Sequence, residues 1–378
     1  MNKKEKISLF KVFMNKDTSS ELEKVLHSGF IGQGTKVEEF EKKLSLFFDN
    51  ENINTVNSAT SGIHVALHVI KLLSNDNRDE VITTPLTCVA TNSPIIANNL
   101  KIKWADVDKK NFNIDLDDVI RKINKKTLAL IVVHWGGHPC NKEKIEEIKE
   151  RYKKIYKKNL YVIEDCAHAF GSKFKKQNVA NSKNICVFSF QAIKHLTTGD
   201  GGAVASPTKE IHEMIKLLRW YGLDRTKNKF SRSDQNIEHL GYKFHMNDIA
   251  ATIGLCNLKS VDCIVKKHND NYNWFNERLC KIKKIQVVPY DENIFSSSWI
   301  MTISVEDREK FMSKLKQFGI ESSQVHYRND KNSCFSKYKC LLPNLDIIEN
   351  KMCCIPCGWW ITEEDRQYIY NVIEGGWR

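Results

Sequence analysis

The sequence predicts an α/β protein with a large domain, a mostly parallel sheet sandwiched by helices, followed by a smaller α+β domain. From about residue 50 to 205, strand-like and helix-like segments alternate, which is the order typical of parallel sheets. The strand-like segments are apolar and rich in β-branched residues, as expected of strands buried on both faces. Beyond about residue 250 the alternation ends and longer amphipathic segments begin.

The strand–helix pairs can be followed in order along the first region. INTVN is a short strand candidate before the apolar-periodic helix SATSGIHVALHVIKLL, and EVITTP leads into the stretch beginning LTCVATNSPII. Next come two further pairs and two strands: KIKWADVD with LDDVIRKINK, TLALIVVHW with CNKEKIEEIKERYKK, then YVIED and NICVFSF. This repetition predicts strands that lie parallel beneath covering helices.

The sequence beyond about residue 250 (the second region) predicts a smaller domain with a different order of helices and strands. AATIGLCNLKSVDCIVKKHNDNYNWFNERLCKI is one long amphipathic helix, or two with a bend. The strand candidate SSWIMTISV follows, then the helix DREKFMSKLKQFGI with Asp307 as its expected N-cap, and the helix ITEEDRQYIYNVIEGG. We therefore expect a large domain over residues 1–255, with an N-terminal helical segment, and a small domain over residues 256–378.

The overall composition narrows the class of protein. The 378 residues are 41% hydrophobic, which is enough for a large core. The net charge is +12, but the basic residues are scattered, which disfavours nucleic-acid binding and indicates a solvated surface or a field that gathers an anionic substrate. MNKKEKISLFKVF lacks the apolar core of a signal peptide, and no apolar run approaches the ~20 residues that span a bilayer. We predict a cytoplasmic protein that does not bind membranes.

The 12 cysteines are predicted to be reduced thiols, most of them in the core. One group in MCCIPCGWW, Cys353, Cys354 and Cys357, contains a C-x-x-C, with Cys334 and Cys340 upstream. Its spacing fits no zinc finger or knuckle, and bulky residues follow at once. We therefore predict packing cysteines here and no metal site.

Polar side chains gather where the predicted strands end. In an open α/β sheet the carboxyl ends of parallel strands share one edge, and ligands bind at that edge. The residues concerned are Ser58, Thr60, Ser61, Thr84, Thr87, His134, Asp165, His168, Ser189 and Lys194. A single polar strand end would carry little weight, but several together predict a site.

Three of these segments have a structural explanation as well as a functional one. In SATSGIHVAL, the helix start with Thr60 and Ser61 suits a phosphate, although Ser58 or Thr60 could simply be an N-cap. Asp165 ends the strand YVIED, and its carboxylate needs either a protonated heterocycle or an ion pair with a lysine. Lys194 in SFQAIKHLTTGDGG is either a solvated surface charge or an amine that loses its charge in a dry pocket and attacks an aldehyde.

One cofactor requires all three segments together. Pyridoxal 5'-phosphate (PLP) needs a lysine for its aldehyde, a carboxylate for its pyridinium nitrogen, and a helix N-terminus with hydroxyl groups for its phosphate. The chain offers these in the order phosphate loop, Asp165, Lys194. This combination favours the functional explanation of each segment over the structural one.

The sequence resembles the DegT/StrS family of PLP-dependent sugar aminotransferases. The resemblance extends from GFIGQGTKVEEFEKKL to LPNLDIIENKMCCIPCGWWITEEDR, and its specific motifs are SATSGIHVAL, TTPLTCVATNSPI, EDCAHAFGS, SFQAIKHLTTGDGG and GYKFHMNDIAATIGL. It implies an aspartate-aminotransferase-like fold, a homodimer with active sites at the subunit boundary, and a role in amino-sugar and polysaccharide biosynthesis.

The resemblance also implies a role for each site residue. Lys194 would hold the cofactor as an internal aldimine, Asp165 would pair with the pyridine nitrogen, and His168 would lie beside the ring and its phenolic oxygen. The phosphate would be bound by Ser189, Thr60 and Ser61.

Three positions depart from the family pattern. Cys88 stands where the family often has an aromatic residue that stacks on the pyridine ring, so another side chain would cover that face. Lys243 replaces the asparagine of G-Y-N-Y-R-M, which commonly reaches the phosphate in the neighbouring subunit, and a lysine would do so as a point charge. Asp200 in GDGG replaces a glutamate. Related dehydratases have a histidine at the position of Lys194, but His195 lies one residue later, so the aminotransferase lysine is kept.

The activity implied is a ping-pong transamination from glutamate to a keto group of a nucleotide-linked deoxy sugar. Two alternatives stay open: a PLP-dependent sugar dehydratase on the same fold, and a non-catalytic sensor that keeps the fold. Three further segments could line the sugar-nucleotide cleft, although a structural role explains each residue as well: GFIGQG, HWGGHP (His134, Trp135, His138) and VHYRND (His326, Tyr327, Arg328).

Overall fold

The computed structural model describes residues 6–225, 236–289 and 291–377. The strands in these ranges are β1 (Ile53–Val56), β2 (Glu80–Thr83), β3 (Lys101–Trp104), β4 (Thr127–Val133), β5 (Tyr161–Asp165), β6 (Lys173–Phe174), β7 (Gln177–Asn178), β8 (Ile185–Ser189), β9 (Gly202–Ala205), β10 (Ile285–Val287), β11 (Ile294–Phe295), β12 (Met301–Val305) and β13 (Met352–Ile355). Seven of them form the main sheet, in the order β1-β9-β8-β5-β4-β2-β3.

The main sheet is mostly parallel, as the alternating pattern predicts. Only β9 runs against its neighbours, and it pairs antiparallel with both β1 and β8. The other neighbouring strands pair parallel. The carboxyl ends of β1, β4, β5 and β8 therefore lie at the same edge of the sheet.

Helices cover both faces of this sheet. The helices in the described ranges are α1 (Thr18–Leu26), α2 (Thr35–Phe48), α3 (Ala59–Ser74), α4 (Val89–Ala97), α5 (Leu116–Lys122), α6 (Lys142–Tyr156), α7 (Lys209–Leu218), α8 (Asp248–Leu258), α9 (Val261–Leu279), α10 (Arg308–Gln317), α11 (Pro343–Glu349) and α12 (Glu363–Glu374). Successive residues of β5 point to opposite faces, so Ile163 packs with the α3 side and Val162 with the α6 side. None of the helices in the described ranges is both long enough and apolar enough to cross a membrane.

A second apolar core surrounds the antiparallel sheet β10-β12-β13. Helices α9, α10 and α12 contribute to this core, and so does Ile7, which forms an isolated parallel bridge with Ile320. A third small sheet, β11-β6-β7, joins residues 294–295 to residues 173–178. The division into domains at residue 255 stays a prediction.

Three details in the second region refine the predictions. The long amphipathic segment is two helices, α8 and α9, separated at residues 259–260. Asp307 is the N-cap residue of α10, as expected, but its backbone is left-handed (φ 53°) and its side chain makes no capping hydrogen bond. Strand β12 begins at Met301, which leaves residues 297–300 of the predicted strand as a buried irregular segment.

Candidate active site

The start of α3 lies next to the ends of β1 and β8. Val56 and Ser189 are both paired with Gly202 of β9, which runs between their strands. A Cβ atom on Gly202 would lie 2.6 Å from the Phe188 carbonyl oxygen and 2.8 Å from the Ala59 nitrogen. Only glycine permits this close approach, which brings Ser189 to the first turn of α3.

This first turn presents hydroxyl groups and amide groups. Ser58 is the N-cap, and its Oγ accepts a hydrogen bond of 3.1 Å from the Ser61 amide and lies 2.9 Å from the Ser61 hydroxyl. Thr60 and Ser61 are half-buried. A helix start leaves amide N–H groups without intrahelical partners at the positive end of the helix dipole. The N-cap explanation thus holds for Ser58, and the same turn can still receive an anion.

Asp165, at the end of β5, is a buried carboxylate whose hydrogen-bond donors are neutral. Oδ2 accepts a hydrogen bond of 2.7 Å from the Thr91 hydroxyl, and Oδ1 accepts one of 3.0 Å from the Ala167 amide. Within the ranges described, no cationic side chain forms an ion pair with it. Burial raises the pKa of this carboxyl above its ordinary value, although the bonds from Thr91 and Ala167 and the charge of Lys194 oppose the shift.

Lys194 lies in the loop after β8 with its amine partly buried. Nζ is 3.7 Å from the ring centroid of Trp299. Burial lowers the pKa of the amine to about 7, against the opposing influence of Asp165 and Cys88. A substantial fraction of this amine is therefore neutral, and nucleophilic, at neutral pH. The neighbouring His195 is directed elsewhere, since its Nε2 donates to the Ser297 carbonyl at 3.0 Å.

His168 is buried, and one nitrogen of its imidazole ring is available for a hydrogen bond with a ligand. Its Nδ1 has no hydrogen-bond partner among the residues of the structure that are described. The ring stacks on Trp299 with centroids 3.9 Å apart, and lies parallel to the ring of His326 at 5.8 Å. Burial, helped by Lys194 and His326, lowers the pKa of His168 well below its ordinary value. The imidazole is therefore neutral and can exchange a hydrogen bond with a ligand.

Cys88 and Lys243, the two departures from the family pattern, lie in different surroundings. Cys88 is the half-buried N-cap residue of α4 and interacts electrostatically with Lys194. Lys243 is exposed, and its backbone pairs with Trp220 and accepts a hydrogen bond from Asn57, in the turn between β1 and α3. Cys88 is thus close to Lys194, whereas Lys243 lies beside the turn that precedes α3.

The residues considered for the sugar-nucleotide cleft lie in different surroundings in the structure. His134 is fully buried, with Nδ1 accepting from the Cys140 amide and Nε2 donating to Glu164, and Arg328 is buried against Asp330, Asp346 and Glu349. The structural explanation, which was open for each of them in the sequence, therefore accounts for both residues. Trp135 packs edge-on against His168, His326 lies beside it, and Tyr327 is exposed. His138 is half-buried and borders a separate cavity of about 500 Å³ with Asp108 and Asp291.

The cysteines of MCCIPCGWW are buried packing residues. Burial raises the pKa of each of the three thiols, that of Cys354 to about 12. Cys354 also lies 3.4 Å from the Thr302 hydroxyl. In the described ranges, no three His, Cys, Asp or Glu side chains are grouped so that they could hold a metal ion.

Two residues of the site were missed in the sequence. Thr91 lies four residues after Thr87 at the start of α4, and their hydroxyls are 2.8 Å apart, so this spacing within LTCVATNSPII was the available signal. Trp299 belongs to the second region, in a segment expected to be strand, and nothing in its sequence context connects it to the ends of the main sheet.

Comparison with known proteins identifies the family. A model of the DegT/DnrJ/EryC1/StrS aminotransferase family matches residues 13–374. The chain belongs to this family. It is therefore a PLP-dependent aminotransferase, and the resemblance noted from its motifs is confirmed.

Relatives with known names and structures support the same assignment. The sugar aminotransferase CalS13 from Micromonospora echinospora is 36% identical and superposes with a TM-score of 0.95, covering 98% of this chain and all of that one. GDP-perosamine synthase of Escherichia coli O157:H7 is 30% identical over 78% of this chain and 77% of its own length. The UDP-4-amino-4,6-dideoxy-N-acetyl-beta-L-altrosamine transaminase of Campylobacter jejuni is 28% identical over 93% and 92%. The predicted aspartate-aminotransferase-like fold is confirmed.

The side chains of the site fit PLP. Asp165 is a buried carboxylate that lacks a cationic partner in the described ranges, and a protonated pyridine nitrogen would supply one. His168 has an unpartnered Nδ1, and Lys194 has an amine with a pKa of about 7. The close approach at Gly202 places Ser189 beside the α3 start, which suits a phosphate.

Proposed function

We propose that this enzyme transfers an amino group from glutamate to a keto group of a nucleotide-linked deoxy sugar, with PLP held by Lys194. The observation that carries the proposal is the placement of the Lys194 amine, 3.7 Å from the ring centroid of Trp299 and in electrostatic contact with the buried carboxylate of Asp165, where burial lowers its pKa to about 7. The substrate class is supported by the relatives, one named for a UDP-linked sugar and one for GDP-perosamine.

Lys194 would have two tasks in this reaction. Bound PLP supplies an electron sink for bond changes at the carbon that bears the amino group. Lys194 would hold the cofactor through its aldehyde and, once released, would take a proton at Nζ and return it at the neighbouring carbon. A pKa of about 7 suits both directions of this transfer at neutral pH.

The surrounding side chains would orient the cofactor. Asp165, fixed by Thr91 and the Ala167 amide, would keep the pyridine nitrogen protonated. His168, held flat against Trp299, would direct its free Nδ1 to the oxygen on the ring. The phosphate would be bound by the turn at the start of α3 and the end of β8, through Thr60, Ser61 and Ser189.

We further propose a homodimer in which Lys243 reaches the phosphate bound by the partner subunit. Lys243 is exposed, and three large apolar side chains are exposed too: Leu240, three residues before it, Tyr221, whose amide donates to the Tyr242 carbonyl, and Val89, which follows Cys88. Such exposed apolar residues beside a site are typical of a surface that another subunit covers. Sedimentation of a monomeric species at micromolar concentration would contradict this. The cytoplasmic location stays a prediction from the sequence.

The test is an assay of Lys194→Ala with glutamate and a panel of nucleotide-linked 3-keto and 4-keto sugars. The wild-type enzyme should convert glutamate and one of these sugars into an amino sugar. Lys194→Ala should lose at least about 10³-fold in turnover, because it lacks the amine that moves the proton, and should lose the visible absorbance of lysine-bound PLP.

The exposed Lys209→Ala serves as the control and should behave as wild type. Full turnover in Lys194→Ala would refute the role of this lysine. A sugar product formed without glutamate consumption would instead indicate a dehydratase.

A further inference from the structure

Trp299 contacts both the amine of Lys194 and the backbone of the residue before it. It is almost fully buried and belongs to the segment just before β12, outside the main sheet. The Lys194 Nζ lies 3.7 Å from the centroid of its ring, and its indole N–H donates a hydrogen bond of 2.9 Å to the carbonyl of Ile193. One side chain therefore touches both the amine and the backbone of the loop that carries it.

The ring of Trp299 also packs against other aromatic side chains. His168 stacks on it with an interplanar angle of 15°, and Phe10 stacks on it with centroids 4.9 Å apart. Because these partners lie nearly parallel to the indole, they restrict its tilt. The orientation of Trp299 is thus tied to that of His168.

The backbone before Trp299 is held by loops of the main sheet. The Ser297 hydroxyl donates to the His168 carbonyl at 3.0 Å, and the Ser297 amide donates to the Ser172 hydroxyl at 2.9 Å. A Cβ atom on Gly137 would lie only 2.7 Å from the Ser297 Oγ, so the glycine leaves just enough room for this serine. These bonds fix the backbone from which the indole extends, and the indole itself is held by its hydrogen bond to the Ile193 carbonyl.

The face of an indole ring attracts a cation. Its quadrupole places negative potential above the ring, and the attraction increases when water is excluded, with tryptophan the strongest of the aromatic side chains. Burial disfavours the ammonium form of Lys194, and Trp299 opposes that effect. The ionisable groups that interact with Lys194 are Asp165, Cys88, His168, His195 and His326.

We propose that Trp299 is a positioning residue for Lys194. The face of the Trp299 ring retains the ammonium form of the free Lys194 amine within the site, and the indole N–H fixes the loop that carries Lys194. This inference rests on the proposed role of Lys194. It adds a residue from the second region to a site otherwise formed by the ends of the main sheet.

The test measures the pKa of Lys194 in the cofactor-free protein, by following acylation of this lysine across a pH series with mass spectrometry. We expect the pKa to decrease in the order wild type, Trp299→Phe, Trp299→Leu, because the cation–π attraction weakens in that order. The decrease for Trp299→Leu should be about 0.5 to 1.5 pH units.

A matched control is Trp359→Leu, which removes an indole 5.6 Å from the amine of Lys11 and should leave the pKa of Lys194 unchanged. If Trp299→Leu does not fold, Trp299→Phe alone decides the matter. An unchanged or raised pKa in the Trp299 variants would overturn the proposal, since a ring that only excludes water would give that result. This outcome is separate from that of Lys194→Ala, because acylation needs neither cofactor nor turnover.

Discussion

Glu164 and Asp165 are adjacent buried carboxylates on β5, and their surroundings are opposite. Glu164 accepts hydrogen bonds from His134 at 2.9 Å and from Ser182 and Asn184, and the amine of Lys142 lies 3.5 Å away. Although burial raises the pKa of Glu164, these partners lower it far below the ordinary value. The carboxylate of Glu164 is therefore already hydrogen-bonded and paired with a cation, and it does not need a ligand as a partner.

Asp165 lies on the opposite face of the strand, and the negative charge of its carboxylate is not balanced by an ion pair within the described residues. Its donors are a hydroxyl and an amide, and the net effect of its burial is a raised pKa. A buried carboxylate that is paired with a cation and hydrogen-bonded within the protein contributes to stability. A buried carboxylate without a cationic partner is available to pair with a cationic ligand. The comparison predicts that changing each residue will affect a different property.

The largest effect should be the loss of activity in Asp165→Asn. The amide oxygen can still accept the hydrogen bond from Thr91, but the amide NH2 group cannot accept the one from Ala167, and the side chain cannot keep a pyridine nitrogen protonated. We expect kcat/KM to decrease by about 10²- to 10⁴-fold. The free energy of unfolding of the cofactor-free protein should change by no more than about 1 kcal/mol, because removal of the buried charge offsets the lost hydrogen bond. Steady-state kinetics and urea unfolding measure the two quantities. A destabilised protein with near-normal kcat/KM would mean that Asp165 is structural.

Glu164→Gln should have the converse effect. Removing this charge leaves Lys142 without its buried partner, and breaking a buried ion pair costs about 3 kcal/mol of unfolding free energy. The kcat/KM of the folded, PLP-loaded fraction should stay within about 3-fold of wild type, because Glu164 faces away from the site. Loss of turnover without loss of stability would show that this cluster takes part in the reaction.

The difference between these two residues could not be predicted from the sequence. Both follow the same apolar run in YVIED, and Asp165 was selected because it ends the strand and because PLP requires a carboxylate. The partners of Glu164 come from several segments, among them His134 and Ser182, whose proximity depends on strand order. The sequence left His134 open as a candidate for the cleft for the same reason, since its position at a strand end does not show which way its ring points.

The sheet and the strand-end residues were predictable because both follow from local pattern. Apolar alternation gives the order of strands and helices, and parallel strands bring Asp165 and Ser189 to one edge. Trp299 reaches this edge from a distant part of the chain through Ser297, and no local pattern encodes such a contact. What the sequence leaves out is therefore the second region's contribution to the site.

The pH dependence of stability should distinguish the two carboxylates by sign. The pKa of Glu164 is lower in the folded state than in the unfolded state, so its stabilisation is complete above the ordinary glutamate pKa of about 4.3 and is lost as the pH falls towards the folded value. The destabilisation caused by Glu164→Gln should therefore shrink in acid.

For Asp165 the folded pKa is the higher one, so ionisation costs stability as the pH rises from the ordinary aspartate value of about 3.9 through the folded value. Asp165→Asn removes that cost, and its stability relative to wild type should increase over this interval and then level off. Urea unfolding of the cofactor-free proteins between about pH 3.5 and 7.5 tests both signs, since this range spans the two ordinary pKa values. The unfolding free energies of Glu164→Gln and Asp165→Asn, each taken relative to wild type, should change in opposite directions with pH. A change in the same direction would contradict the conclusion that Glu164 has a cationic partner in the protein and Asp165 lacks one.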